Sequence, residues 1–134
     1  GGIFERLPNL RVAFAHGGGA FPFTLGRIQH GFTARPDLCA IDNEFAPSHY
    51  VGKFFVDSLV HDERSMRFIV DMFGADSICL GSDYPFPLGE DRPGEMVLGM
   101  DFEDAIKEKI LWSSAMRWLA ARMRCRYSRP VSSR

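Results

Sequence analysis

The segment Leu80-Gly81-Ser82-Asp83-Tyr84-Pro85-Phe86-Pro87 decides the fold of this chain. It continues an apolar run that begins at Ser77 and is typical of a buried strand, and it places Asp83 directly after the strand end. Two prolines follow, and because proline cannot donate a backbone hydrogen bond, the strand cannot continue through them. A carboxylate at the carboxyl end of a strand is typical of the catalytic face of α/β barrels and open α/β sheets. The segment therefore predicts an α/β fold with Asp83 at a functional edge.

Two further apolar runs, Val12–Ala15 and Phe54–Asp57, predict strands of the same kind. Together with Ile78–Leu80 they alternate with helical patterns, which is typical of βαβ units in a parallel sheet. Their apolar character is continuous, so we expect the strands to be covered on both faces. The first run ends at His16, which three glycines follow. We expect this strand-end histidine and the strand-end Asp83 to converge over a shared cation at one end of the strands, although the pair alone supplies too few ligands for a metal ion. The three glycines match neither the G-x-G-x-x-G fingerprint nor a phosphate loop with its lysine, which excludes a nucleotide site here.

Three segments have the periodicity of amphipathic helices with recognisable ends. Asp62–Phe73 begins with a capping aspartate, carries an apolar stripe at 3.6-residue spacing and is followed by Gly74. Asp104–Leu111 and Ser114–Arg122 predict two further helices, the second capped by Ser113 or Ser114.

The predicted helix Pro22–Phe32 has two contrasting faces. One is an apolar stripe suited to a core, and the other combines Phe23, Arg27 and His30. This mixed aromatic and cationic face suits a partner surface or a site. Gly26 and Gly31 lie within the helix, where we expect them to permit close approach of another element.

Composition limits the class of protein. The chain has 134 residues, 46% of them hydrophobic and 25% charged, with a formal net charge of −1, as in an ordinary soluble domain or part of one. It has no basic excess and no nucleic-acid-binding motif, so we expect no nucleic-acid partner. It has no apolar stretch of membrane-spanning length and no signal-peptide pattern, so we expect no membrane association. Cys39, Cys79 and Cys125 are widely spaced and odd in number, which favours buried free thiols in a reducing compartment.

The two ends of the chain predict a fragment. The first residue is Gly1, and the apolar spacing of Ile3, Phe4 and Leu7 is typical of the last turn of an amphipathic helix. We therefore expect the C-terminal part of a longer protein. Residues 1–121 are expected to form the folded part, and the arginine-rich residues 122–134 a basic, disordered tail.

Five residues are candidates for chemistry, each with a structural alternative. His16 suits a general base or a metal ligand, or equally a turn histidine bonded to a carbonyl. Asp83 suits a cation ligand or water-orienting group, or alternatively a turn cap. Arg27 suits recognition of a carboxylate, although a surface ion pair is the commoner role of an arginine taken singly. Asp57 suits the site or a structural carboxylate equally. His61 follows the middle strand and so also lies near the active face, although a solvated histidine is the preferred interpretation.

Several motifs follow one another along the chain and together resemble one known family. They are Ala15-His16-Gly17-Gly18-Gly19-Ala20-Phe21-Pro22-Phe23, Gly26-Arg27-Ile28, His30-Gly31-Phe32, Arg35-Pro36-Asp37-Leu38-Cys39, Leu59-Val60-His61-Asp62 and Asp83-Tyr84-Pro85-Phe86-Pro87-Leu88-Gly89-Glu90. From Gly2 to about Leu119 the chain is similar to the α-amino-β-carboxymuconate-ε-semialdehyde decarboxylases of the amidohydrolase superfamily. A long ordered set of motifs is more specific than any one of them.

The resemblance implies a fold and roles for five residues. The fold is the last three βα units, with C-terminal helices, of a (β/α)₈ (TIM) barrel that holds one Zn²⁺ ion. His16 matches the catalytic histidine and Asp83 a zinc ligand. Arg27 matches an arginine that binds a substrate carboxylate in the neighbouring subunit, which implies a homodimer through its helix. Phe86 and Leu88 match positions in the wall of the substrate pocket.

The implied reaction is a zinc-dependent, non-oxidative decarboxylation in tryptophan catabolism through the kynurenine pathway. His16 would accept a proton from water, and the cytosolic product would be diverted from quinolinate and NAD synthesis. The remaining zinc ligands and a second substrate arginine are expected upstream of this chain. Two alternatives stay open: another amidohydrolase-related decarboxylase or hydrolase, and an inactive truncated subunit that acts only in dimerisation.

Overall fold

Three parallel β-strands form the sheet at the centre of the computed structural model, which describes residues 1–119. The strands are β1 (Ala13–Phe14), β2 (Phe55–Asp57) and β3 (Ile78–Cys79), in the order β1-β2-β3. Phe14 is level with Val56, and Val56 is level with Ile78, so the three strands end at the same edge. The predicted strands are confirmed, although each is one or two residues shorter than its apolar run.

Helices connect and cover these strands. The α-helices are α1 (Ile3–Arg6), α2 (Phe21–Ala34), α3 (Pro36–Cys39), α4 (Glu63–Phe73), α5 (Glu95–Gly99), α6 (Asp104–Glu108) and α7 (Ser114–Trp118). Turns of 3₁₀-helix span His16–Gly18, Pro47–Tyr50 and Ala75–Ser77, and a π-helical segment spans Lys109–Ser113. None of the helices among the described residues is long and apolar enough to cross a membrane. The tail predicted at 122–134, with Cys125, lies outside the described residues.

Helix α4 forms as its sequence signals predict. The Asp62 carboxylate accepts hydrogen bonds from the backbone N–H and the hydroxyl of Ser65, each 2.8 Å long, and so caps the first turn. These bonds hold the pKa of the Asp62 carboxyl below its usual value. Gly74 ends the helix with a φ of 75°, which glycine adopts without strain. The buried stripe consists of Met66, Ile69 and Phe73.

The hydrophobic core joins β2 and β3 to α4, α5 and the C-terminal helices. Its fully buried hydrophobic members are Val56, Met66, Ile78, Val97 and Ile110. Phe54 extends the core towards α2 through edge-to-face contacts with Phe21 and Phe73, at centroid distances of 5.5 and 5.7 Å. Such aromatic pairs add about 0.5–1.5 kcal/mol to the burial of their area. The middle and last strands are therefore the best-supported part of the sheet.

Strand β1 is less covered than predicted. Phe14 is 49% exposed, although its ring meets the edge of Phe54 at 5.3 Å. The cause is its place at the edge of the sheet, where only β2 pairs with it among the described strands. β3 is also an edge strand, yet Ile78 and Cys79 are buried because the C-terminal helices pack on them. Coverage on both faces is thus confirmed for β3 and wrong for β1.

The C-terminal helices differ from their prediction. Helix α6, the π-helical segment and α7 follow one another without a break, because Lys109, Ser113 and Ser114 all keep right-handed helical angles. Neither predicted serine cap forms. Ser114 is fully buried and its hydroxyl donates a 2.8 Å hydrogen bond to the carbonyl of Ala75, just before β3. The serine therefore ties the helices to the sheet instead of starting a helix.

An ion-pair cluster reinforces the same junction. The Asp76 carboxylate accepts hydrogen bonds from Lys109 at 2.8 Å and from Arg117 at 2.6 Å. The bond to Lys109 is the main cause, and the charge of Arg117 a further one, of an Asp76 pKa below its usual value. Because all three side chains are about half exposed, the cluster adds less to stability than its geometry suggests.

Helix α2 presents the predicted outward face, but its apolar stripe is only partly covered. Phe21 packs against the core, whereas Ile28 of the stripe is 42% exposed, and on the other face Phe23 is 88% exposed and Arg27 is exposed. Within the described residues no element approaches Gly26, because no atom lies within 4 Å of a Cβ built there. The outward face of α2 is therefore open within the described residues.

Replacing Ser114 tests the role of the junction. We expect Ser114→Ala to lower the free energy of unfolding by about 0.5–1.5 kcal/mol, because it removes a buried hydrogen bond while the Ala75 carbonyl keeps the Ile78 N–H as its other donor. Ser113→Ala is the matched control, since that hydroxyl bonds only to the exposed Glu108 carboxylate, and we expect a change below about 0.5 kcal/mol. Urea denaturation followed by circular dichroism measures both. Equal effects of the two variants would contradict the assignment.

Candidate functional site

The three strands lead into three residues with the same unusual backbone. His16 after β1, His61 after β2 and Asp83 after β3 have φ values of 58°, 53° and 54°. Among the described residues they are the non-glycine residues with positive φ. Such conformations are unfavourable for residues with a Cβ and cluster at functional sites, where the surrounding structure holds them in place. The carboxyl edge of the sheet thus carries three residues with strained backbones, and each has a side chain that can bind a cation or transfer a proton.

The turn after β1 fixes His16. A 3₁₀ turn forms as Gly19 donates its N–H to the carbonyl of His16 at 2.9 Å. Gly17 donates its N–H to Asp57 Oδ1 at 3.0 Å, so the turn is bonded to the end of β2. A Cβ on Gly17 would lie 2.7 Å from a methyl group of Val60, so only glycine fits without displacement. The glycines therefore bring the backbone beside His16 against the neighbouring strand.

A closed loop fixes Asp83. Phe86 donates its N–H to the carbonyl of Asp83 at 2.8 Å, and Glu90 donates its N–H to the carbonyl of Ser82 at 2.9 Å. The loop therefore returns to its starting point and holds the Asp83 backbone at both sides. The Asp83 side chain is only 21% exposed although the loop lies at the surface.

His16 and Asp83 meet, as expected of residues at the ends of parallel strands. His16 Nε2 lies 3.5 Å from Asp83 Oδ1. At this separation both groups can contact one bound water or cation. The His16 side chain is 60% exposed, so it remains accessible to solvent and to a ligand. The predicted convergence of the two groups at one end of the sheet is confirmed.

A cavity of about 460 Å³ opens beside this pair and is also lined by His61. Its apolar wall includes Phe23, Leu59, Val60, Phe68, Ile69 and Leu88. A mostly apolar cavity with a few converging polar groups is the usual form of a small-molecule site.

The predicted pocket-wall and substrate residues differ in their placement. Leu88 lines the cavity. Phe86 is 66% exposed and lies outside the lining, and Arg27 lies outside it on the exposed side of α2. The substrate-binding roles of these three residues stay predictions.

The structure defines the roles of two further residues near the site, His61 and Asp57. His61, expected to be merely solvated, lines the cavity with a left-handed backbone. Its position after the second predicted strand already placed it near the active face, and that signal outweighed the preferred solvated role. Asp57, for which two roles were open, accepts hydrogen bonds from Gly17 at 3.0 Å and Leu59 at 3.2 Å, which is the structural role.

The described residues supply only part of a metal centre. No group of three His, Cys, Asp or Glu side chains within residues 1–119 is arranged to hold a metal ion. Catalytic zinc sites use three protein ligands, and here one carboxylate and one imidazole approach each other. The donor chemistry suits a divalent cation, but the number of donors does not complete its coordination.

Comparison with known families identifies the fold and its relatives. The sequence profile named Amidohydrolase matches residues 1–120. The chain belongs to the amidohydrolase family. Its three parallel strands and their helices are accordingly part of a (β/α)₈ barrel, as the resemblance implied.

Two curated relatives of this amidohydrolase chain carry the same name. The 2-amino-3-carboxymuconate-6-semialdehyde decarboxylase of Dictyostelium discoideum is 56% identical over 120 residues, which are 89% of this chain and 33% of that protein. The protein of the same name from Caenorhabditis elegans is 42% identical over 89% of this chain and 30% of its own length. The chain thus spans about a third of the length of these relatives, and the predicted resemblance is confirmed.

A solved structure shares the fold. The 5-carboxyvanillate decarboxylase of Novosphingobium aromaticivorans, crystallised with manganese, superposes with a TM-score of 0.73 over 88% of this chain and 35% of that chain. The two are 24% identical, so this likeness concerns the fold alone.

Proposed function

We propose that the protein to which this chain belongs is a metal-dependent decarboxylase of 2-amino-3-carboxymuconate 6-semialdehyde. The observation that carries the proposal is the 3.5 Å approach of His16 Nε2 to Asp83 Oδ1 beside an apolar cavity. A proton-transfer group next to a carboxylate ligand suits a reaction that exchanges a carboxylate for a proton. The names of the relatives at 56% and 42% identity support the choice of substrate.

The same likeness supports a place for the reaction. We propose that it occurs in the cytosol, in tryptophan catabolism through the kynurenine pathway. In the reaction the bond between carbon and the carboxylate breaks, carbon dioxide leaves, and a proton takes its place on that carbon. Loss of the carboxylate would divert the substrate from quinolinate and thereby limit NAD synthesis.

His16 is the proposed proton-transfer residue. Imidazole both accepts and donates a proton near neutral pH, which few side chains do. The exposed ring can take a proton from water and later return one to the carbon that loses carbon dioxide. The hydroxide formed by the first transfer adds to the substrate's conjugated double bond and leaves again as carbon dioxide is lost. The fixed backbone of His16 keeps the ring at the cavity during both transfers.

Asp83 is the proposed ligand of a zinc ion. A zinc ion bound there would lower the pKa of a water molecule to about 7 and stabilise negative charge on the substrate. The closed loop holds the Asp83 backbone in place before any ion binds, so only the side chain has to adjust. By the family likeness, the remaining ligands are histidines outside the described residues.

The cavity wall is proposed to bind the body of the substrate. Leu88 and the other apolar wall residues exclude water from the reacting carboxylate. A dry site favours the loss of a charged carboxylate as a neutral gas, because the charge is less well solvated there. We assign Phe86 to the same wall in the assembled enzyme.

Arg27 is proposed to act across a homodimer. It is exposed on α2 and does not line the cavity of its own chain, so its guanidinium is free to reach a neighbouring subunit. The planar guanidinium suits bidentate binding of a substrate carboxylate. Phe23, exposed beside it, would be buried by the same contact.

A second candidate function concerns the chain taken by itself. Because residues 1–119 hold no three-ligand cluster, we expect the isolated chain to bind zinc weakly and to be inactive, acting at most as a dimerisation module. Zinc analysis of the purified chain after dialysis, with a decarboxylation assay, distinguishes the candidates. Stoichiometric zinc and turnover by the isolated chain would refute the inactive alternative.

The roles of His16 and Asp83 are tested in a chimaera in which this chain replaces the matched segment of the Dictyostelium relative. We expect Asp83→Ala to lose zinc, since a ligand is removed. We expect His16→Ala to keep zinc but to lower kcat by about 10²–10⁴-fold, since only proton transfer is lost. Elemental analysis and carbon dioxide release measure the two effects.

Matched controls come from the same chain. Asp91→Ala removes an exposed carboxylate just after the Asp83 loop, and His49→Ala removes an exposed imidazole away from the cavity and from α2, and both should leave zinc content and kcat unchanged. Full activity of His16→Ala would refute the proposed mechanism.

Mixed dimers of the chimaera test the proposed role of Arg27. Arg27→Ala should raise KM and leave zinc content unchanged. A dimer of one Arg27→Ala chain with one His16→Ala chain should regain activity, because one of its sites then combines an intact His16 with an intact Arg27 from the neighbour. Arg35→Ala, which breaks a surface pair with Asp37, is the control for loss of an arginine. Mixed dimers no more active than their parents would mean that Arg27 acts within its own subunit or not at all.

A further inference from the structure

Two consecutive residues at the end of the middle strand form hydrogen bonds to the segments that follow the strands on either side of it. Asp57 is the last residue of β2, and Ser58 follows it. The Asp57 side chain bonds to the turn that carries His16, and the Ser58 side chain bonds to the segment that leads to Asp83. Both elements of the site are therefore attached to one point of the sheet.

Asp57 holds the His16 side of this arrangement. Its Oδ1 accepts hydrogen bonds from the N–H of Gly17 at 3.0 Å and the N–H of Leu59 at 3.2 Å. Gly17 adjoins His16, so the bond fixes the peptide next to the strained histidine. Hydrogen bonds to an ionised carboxylate are stronger than those between neutral groups.

Ser58 holds the Asp83 side. Its hydroxyl oxygen accepts a 3.2 Å hydrogen bond from the N–H of Gly81, two residues before Asp83. Its own N–H donates to the carbonyl of Cys79 at 2.9 Å, and its side chain is buried with 2% exposure. A buried hydroxyl in this position has few alternative partners, so the bond defines the course of the chain after β3.

Gly81, which bonds to Ser58, is also in close contact with Asp57. A Cβ built on Gly81 would lie 2.7 Å from the Cβ of Asp57 and 2.9 Å from its carboxyl carbon. The two strand ends therefore approach more closely than any side chain at position 81 would allow. This contact is one of packing alone, whereas the hydrogen bonds to Gly17 and to Gly81 come from separate side chains.

We propose that Asp57 and Ser58 are positioning residues that set the separation of His16 and Asp83, an inference that rests on the proposed function. Neither residue lines the cavity, so neither is placed to contact a substrate. His16 and Asp83 both have left-handed backbones that would relax if released. The bonds from Asp57 and Ser58 keep the two strained residues facing one another.

Amide hydrogen exchange on the chain itself tests the attachments separately. Asp57→Ala should accelerate exchange at Gly17 about tenfold or more and leave Gly81 unchanged. Ser58→Ala should accelerate exchange at Gly81 and leave Gly17 unchanged. Each variant is thus the control for the other. Equal acceleration at both amides in either variant, or none, would overturn the proposal.

Turnover in the chimaera tests whether the attachments position the reacting groups. Asp57→Ala and Ser58→Ala should each lower kcat up to about 10²-fold with little change in KM, because ångström-scale misplacement of reacting groups affects the chemical step. Asp57→Asn retains an oxygen acceptor and should recover most of kcat. Ser114→Ala, which removes a buried hydrogen bond away from the cavity, is the control that loses stability but keeps kcat.

The outcomes separate this inference from the proposed function. An inactive unsubstituted chimaera would refute the proposed function, while the exchange pattern at Gly17 and Gly81 would still decide the attachments. If Asp57→Asn were as inactive as Asp57→Ala, the charge rather than the acceptor would matter, and the positioning role would be refuted. Unchanged kcat in both alanine variants would refute it as well.

Discussion

Parallel pairing of three strands in one register is the constraint on which the structure depends. Because Phe14, Val56 and Ile78 are level across the sheet, the residues that follow β1, β2 and β3 meet at one edge. His16, distant from Asp83 in sequence, thereby comes within 3.5 Å of it. A slip of one residue in either pairing would turn the strand-end side chains away from each other. The backbone register of the strands thus brings His16 and Asp83 to the same edge of the sheet.

Buried packing supports the Asp83 side of this edge more than the His16 side. β2 and β3 are packed into the core and tied to the C-terminal helices through Ser114, whereas β1 is half covered. The Asp83 side of the site therefore rests on buried structure. The His16 side depends on the hydrogen bond that the Gly17 N–H donates to Asp57 and on the close approach of Gly17 to Val60. These two contacts hold His16 near Asp83 although β1 is only two residues long.

Local signals predicted most of the fold and the principal pair of the site. Apolar runs marked the strands, and Asp62 and Gly74 marked the ends of α4, because caps and periodicity act within a few residues. Two strand-end residues, His16 and Asp83, were predicted to converge from the parallel topology alone. The buried hydrogen bond of Ser114 escaped prediction, the cavity position of His61 was noted but not preferred, and the role of Asp57 was left open between the site and a structural carboxylate. Each of these depends on contacts between segments distant in sequence, which local patterns do not encode.

The separation of His16 and Asp83 is the most direct test of this account. A crystal structure of the chain that resolves the histidine ring would measure it, with β1 and β3 showing whether the register is kept. The account predicts that Nε2 and a carboxylate oxygen lie within about 4 Å of each other on one face. Side chains on opposite ends of the sheet, or more than about 6 Å apart and so beyond one bridging water, would contradict it.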